Sequence, residues 1–228
     1  MSGAPRRAID RAEAALARVD ALGRGHVSAA ILVGSAVLGD WREERSDIDL
    51  LLVSDSPLAP AIRGLWRRAA RADVIIAETG RPAWGDLGLA VALKTAAQTG
   101  HVLRGAAPPA PDDGELATLL EANLGAYWKP WLDRARGRGL GGPTAAMFTP
   151  FGAVWVLGGI GRIRSTLADG RIISKREALN RALARLPEHR AVLDEAVRLR
   201  DGAAPRMGRL ERRRRALACA DALLARRW

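Results

Sequence analysis

Residues 34–53 read GSAVLGDWREERSDIDLLLV. The run before them, HVSAAILV over 26–33, has the composition of a buried strand, and Gly34-Ser35 breaks it. Asp40, Arg42, Glu43, Glu44 and Arg45 make 39–46 a polar loop. DIDLLLV, 47–53, then reads as a second strand. Residues two apart on a strand point to one side, so Ile48 faces the core while Asp47 and Asp49 share one outward place. Two adjacent carboxylates repel, and a divalent cation relieves the repulsion. Oxygen-only ligands suit Mg²⁺, which combines few protein carboxylates with substrate phosphates. Gly34 lets a phosphate approach the backbone, and Ser35 offers hydroxyl and amide donors.

Outward from this stretch, 5–22 carries helical spacing closed by Gly23, 59–71 reads as a helix opened by Pro57 and Pro60, and DVIIA at 73–77 as a third strand. A helix over 86–98 and an edge strand over 100–105 follow. Asp73 opens the third strand and is the chosen third carboxylate, as metal ligand or proton acceptor. Glu78 is the alternative; its odd spacing from Asp73 puts it on the opposite face. Residues 106–114, AAPPAPDDG, form a linker. Beyond it come helical patterns over 115–136, 145–168, 175–186, 188–200 and 208–227, with no convincing strand. The expected class is α+β: a mixed sheet with flanking helices over 1–107, then an all-α domain over 112–228.

No run approaches the roughly 18 apolar residues of a membrane span, and the N-terminus carries charges where a signal peptide is apolar. The single cysteine, Cys219, excludes an internal disulfide and a thiolate zinc cluster, and His26, His101 and His189 are scattered. A cytoplasmic monomer without membrane contact is the expectation. The net charge of +11 is nearly all arginine, since lysine occurs only at Lys94, Lys129 and Lys175. It reads either as genome composition on solvated helix faces or as a nucleic-acid footprint.

The stretch 34–53 resembles the DNA polymerase β-like nucleotidyltransferase superfamily, and closely the aminoglycoside nucleotidyltransferases of the streptomycin/spectinomycin adenylyltransferase group. Residues 157–187, LGGIGRIRSTLADGRIISKREALNRALARLP, are similar to that group's C-terminal helical domain. The resemblance implies Mg²⁺-dependent transfer of AMP from ATP to a hydroxyl of a small acceptor, an aminoglycoside-type antibiotic, and so a role in resistance. It implies Ser35 and Ser46 on the triphosphate, Asp47 and Asp49 as Mg²⁺ ligands, and Asp73 at the catalytic carboxylate. Lys175 and Arg162 match cations that reach the nucleotide phosphates from the helical domain. One departure stands out: where antibiotic-modifying members carry an acid upstream of the helix arginine, this chain has Phe148-Thr149-Pro150-Phe151-Gly152. RNA or a protein side chain is the alternative acceptor, and a non-catalytic basic nucleic-acid-binding protein the alternative class. Trp84, Tyr127, Trp128 and Trp131 read as pocket lining or as packing, and Asp133 as an acidic contact to an acceptor.

Overall fold

The computed structural model describes residues 3–79, 86–137, 141–226 and 228, and the chain divides into two compact units, Met1–Leu116 and Ala117–Trp228.

In the first unit the order is α1 (Arg6–Asp20), β1 (Val27–Val33), β2 (Asp49–Ser54), α2 (Pro60–Ala70), β3 (Asp73–Glu78), α3 (Leu87–Thr99) and β4 (His101–Arg104). The strands form one sheet in the order β3-β2-β1-β4. β1 pairs antiparallel with β2 and β4, while β2 and β3 run parallel. A parallel pair needs a crossover, which α2 provides. The central strands are buried on both faces, which is why their sequences run apolar rather than alternating. On one face Ala30, Leu32, Leu50, Leu52, Val74 and Ile76 pack with α1 and α2; on the other Ile31, Val33, Leu51, Val53 and Ala77 pack with α3.

α1 buries Ala8, Ala12, Ala15, Leu16 and Val19, the i, i+3, i+4 stripe that selects a helix. Its Arg18 donates to the carbonyls of Ala69 (3.1 Å) and Ala70 (2.7 Å), occupying acceptors left open at the end of α2. Trp66 of α2 is fully buried, and its indole N–H donates to Arg24 O at 2.8 Å. A buried indole needs such a partner.

The second unit is helical: α4 (Asp113–Asn123) runs into it, followed by α5 (Lys129–Ala135), α6 (Gly142–Ala146), α7 (Pro150–Asp169), α8 (Lys175–Arg185), α9 (Arg190–Arg200) and α10 (Arg209–Ala225). α7 is its spine, packing against α8, α9 and α10. Two expected single helices are divided. The pattern over 115–136 is α4 and α5 joined by a π-helical turn, Leu124–Trp128. Pro130 has no N–H for the carbonyl four residues back, and its ring would strike that carbonyl, so the turn widens there. The pattern over 145–168 splits at Thr149, extended ahead of Pro150, where its hydroxyl accepts from Gly152 N–H at 3.1 Å and caps α7. Among the described residues the second unit holds no strand, as expected.

Trp128, Trp131 and Trp155 stack in this unit, with Trp128–Trp155 and Trp131–Trp155 centroids 4.6 and 5.0 Å apart. Trp128 and Trp131 are buried, while Tyr127 meets the cluster edge-on and stays exposed. A Cβ at Gly159 would lie 2.5 Å from Trp128 Cζ2, so only glycine lets α7 approach the indole. Asp133 pairs with Arg136 at 2.9 Å, and Arg136 also pairs with Asp221. Trp84 lies outside the described residues.

Candidate active site

β1 ends at Val33, which pairs with Asp49, the first residue of β2. The chain between them leaves and returns to one point on the sheet edge. Gly34–Ala36 opens this excursion as a 3-10 turn, with Gly34 at φ +68°. A Cβ at Gly34 would stand 2.5 Å from Asp49 Cγ and closer still to Oδ2. Glycine is therefore required twice, by the positive φ and by the carboxylate above it. Ser35 N–H points at Asp49 Oδ2 across 3.4 Å. The Gly34-Ser35 backbone and the Asp49 carboxylate thus occupy one corner.

The loop is closed by its own backbone and side chains. Asp40 N–H donates to Ser35 O (3.1 Å), Ser46 N–H to Arg42 O (2.8 Å) and Arg42 N–H to Ser46 Oγ (2.9 Å). Ser46 Oγ accepts there, which leaves its O–H proton to donate elsewhere. α1 braces the same loop: Arg7 pairs with Glu43, Arg11 Nη1 donates to Glu43 O at 3.2 Å, and the Arg11 guanidinium lies 5.8 Å from the Trp41 ring centroid. Arg7 and Arg11 went unread in the sequence as site supports. Their signal is only an i, i+4 pair of cations facing Glu43-Glu44, and such spacing is common on solvated helices.

β2 starts at Asp49 rather than at Asp47. The alternation nevertheless reaches back past the strand end, because Asp73 N–H donates to Ile48 O at 2.8 Å and holds Ile48 extended. Ile48 is buried among the α1 and α2 contacts, Asp47 is exposed and Asp49 half-buried. Asp49 has the parity of Leu51 and Val53, which pack toward α3.

Asp73 is in direct register with Asp49 on the parallel strand β3. Partners in a parallel pair project to the same face, so both carboxylates emerge on the α3 side of the sheet edge. Asp73 is exposed. Glu78 sits five residues along β3, roughly 16 Å away at strand rise, in register with Ser54. It is buried, pairs with Arg63 of α2 and accepts Leu58 N–H at 2.9 Å. Its surroundings are those of a structural lock at the far end of the strand.

Among the described residues no three His, Cys, Asp or Glu side chains close on one point as a complete metal cage. The donor set still fits Mg²⁺: hard carboxylate oxygens at one corner, with Asp47 and Asp73 exposed to solvent for metal-bound water. Mg²⁺ takes one or two protein carboxylates and completes its octahedron with water and phosphate.

In the second unit Lys175 is the first residue of α8, after Ser174, whose hydroxyl accepts from Glu177 N–H at 3.1 Å. The Ser174–Glu177 spacing is a capping box that fixes where α8 begins. A cation at a helix N-terminus opposes the helix dipole, an arrangement an anion would relieve. Lys175 Cβ packs 3.2 Å from the Cβ position of Gly158 on α7, and Arg162 is one turn further along the same helix. Both cations are half-buried.

Residues 14–79 match the family model for the nucleotidyltransferase domain, and residues 152–226 that for the aminoglycoside adenylyltransferase C-terminal domain. No curated protein sequence matches the chain. Among solved structures the chain is similar in fold to the spectinomycin adenyltransferase AAD(9) from Enterococcus faecialis, solved with ATP and spectinomycin. The TM-score is 0.67 at 15% identity, over 95% of this chain and 98% of that one.

Proposed function

We propose that this chain, a member of the aminoglycoside nucleotidyltransferase family by its two domain matches, moves AMP from ATP to a hydroxyl of a small aminoglycoside-type acceptor. That it is a nucleotidyltransferase follows from the family; the donor, acceptor, metal and residue roles are the proposal. The observation that carries it is the in-register pair Asp49–Asp73 at the sheet edge, with Gly34 held against Asp49. The similar structure holds ATP and spectinomycin, which supports ATP as donor and a spectinomycin-type acceptor. No helix among the described residues is long and apolar enough to cross a membrane.

The nucleotide phosphates lie beside Gly34-Ser35 and the Asp49 carboxylate, with the Ser35 N–H and hydroxyl and the Ser46 hydroxyl as donors. Arg162 and Lys175 of the helical unit are assigned to nucleotide phosphates on the family resemblance. Mg²⁺, held by Asp47 and Asp49 with Asp73 beside them, would neutralise phosphate charge when bound. Asp73, exposed and next to Asp49, accepts the proton of the acceptor hydroxyl as it attacks the α-phosphorus in line and pyrophosphate leaves. The chain's part is positioning and electrostatics rather than covalent chemistry. The test is pyrophosphate release from ATP and Mg²⁺ over a panel of aminoglycosides including streptomycin and spectinomycin. Turnover with none of them removes the antibiotic acceptor and leaves RNA or a protein side chain as the class to try.

A further inference from the structure

The charge of +11 is not spread over the chain. The first unit has 14 Arg and Lys against 15 Asp and Glu, while the second has 22 against 10. Both units come from one gene of one base composition, so genomic arginine preference does not explain a near-neutral unit beside one of net +12. No carboxylate occurs between Asp133 and Asp169, and from 202 to 220 Glu211 is the only one.

Several of these arginines have structural work. Arg164 donates to Leu223 O at 2.9 Å and to Leu224 O, Arg212 to Met207 O (2.9 Å) and Phe148 O (3.1 Å), and Arg213 to Ala135 O (2.8 Å) while its guanidinium lies 5.1 Å from the Phe148 ring centroid. These contacts tie the start of α10 to the start of α7 and the end of α10 to the end of α7. The two longest helices of the unit therefore run parallel, with both positive dipole ends on one side. On that side Phe151 is 64% exposed and Leu210 69% exposed. Arg206, Arg209 and Arg214 are exposed there too and hold no ion pair among the described residues. Glu195 fixes the segment that carries Arg206, accepting Arg206 N–H (2.8 Å) and Met207 N–H (3.0 Å). Glu211, the local carboxylate, is paired with Arg215 at 2.9 Å.

We propose that the N-terminal ends of α7 and α10 form a binding surface for single-stranded nucleic acid, with Arg206, Arg209 and Arg214 on phosphates and Phe151 against a base. An acidic peptide would satisfy the arginines and leave the aromatic face unused, whereas a single strand offers phosphates and π-faces in alternation. The surface includes none of the residues assigned to AMP transfer, so binding is measured without turnover.

The test is fluorescence anisotropy of the full chain with a labelled single-stranded RNA, its DNA counterpart, the corresponding duplex and polyglutamate, over a salt series. Binding of the single strands should weaken with salt. The triple change Arg206→Glu/Arg209→Glu/Arg214→Glu should flatten the log–log salt slope by about 2, at roughly 0.7 per phosphate contact. Phe151→Ala should weaken binding about 10-fold by loss of stacking. The control Arg24→Glu/Arg68→Glu/Arg71→Glu changes net charge equally on exposed positions of the first unit and should leave binding unchanged. Equal loss in the control, no loss on Phe151→Ala, equal affinity for polyglutamate, or no single-strand binding at low salt would each overturn the proposal.

Discussion

Replacing Gly34 with alanine separates two costs that meet at the nucleotide corner. The first is conformational: at φ +68° a residue with a Cβ pays about 1–2 kcal/mol. The second is steric: the new Cβ would stand 2.5 Å from Asp49 Cγ, well inside van der Waals contact, and the carboxylate must move. Gly39 provides the control. It has φ +71°, yet a Cβ there meets nothing within 4 Å. Gly39→Ala should therefore lower stability by about 1–2 kcal/mol, a fall in Tm of several degrees, and Gly34→Ala by at least as much. Only Gly34→Ala should damage the site. Displacing one charge-assisted contact costs about 2–3 kcal/mol, or roughly 30- to 150-fold in affinity. The assays are thermal melts together with calorimetric titration of MgATP, which requires no acceptor. Gly34→Ala binding MgATP within about 3-fold of the parent would refute the placement of phosphate and carboxylate at this corner. Equal damage by Gly39→Ala would show that loop strain alone accounts for the loss.

Three further outcomes are expected. Glu78→Gln breaks a buried pair with Arg63 and should cost about 3 kcal/mol in a denaturant melt while leaving MgATP affinity unchanged, whereas Asp73→Asn should leave the melt unchanged and lower turnover with an acceptor that the parent modifies. Burial pushes the Cys219 thiol up to about 12 from its ordinary 9.0. The folded state thus holds this proton more tightly than the unfolded chain, so the contribution is intact below pH 9.0 and is lost as pH rises toward about 12. Cys219→Ala should make stability fall less steeply over that window in melts at stepped pH, and a thiol reagent should label the parent only after unfolding. Gly159→Ala drives a methyl onto Trp128 and should cost about 1–3 kcal/mol by overpacking, with a shift in tryptophan emission.

The corner where Gly34-Ser35 meets Asp49 was legible because its geometry is local. Gly34-Ser35, Asp47 and Asp49 lie within one loop and its flanking strands, and strand alternation alone separates Ile48 from its neighbours. Asp73 was readable as the first residue of a strand, but its register with Asp49 is a long-range property of a parallel pair. The burial of Glu78 against Arg63 also depends on how α2 crosses the sheet, which no spacing along the chain expresses. Helix ends were less legible where proline acts at a distance: Pro130 widens the turn before it, and Pro150 turns one apolar pattern into two helices. Trp128 and Trp131 allowed pocket and core readings alike until Trp155 appeared stacked between them, and Trp155 sits on another helix. The uneven charge was present in the sequence, but its side became visible only once α7 and α10 proved parallel.

The most direct test of the central claim is AMP transfer by the double variant Asp47→Ala/Asp49→Ala. With ATP, Mg²⁺ and an acceptor that the parent modifies, pyrophosphate release should fall by at least about 1,000-fold, since both carboxylates that position the reacting phosphate are gone. The fold should persist, because Asp47 is exposed and Ile48 keeps its place in the core. Undiminished turnover by a folded double variant would contradict the assignment of this corner as the active site.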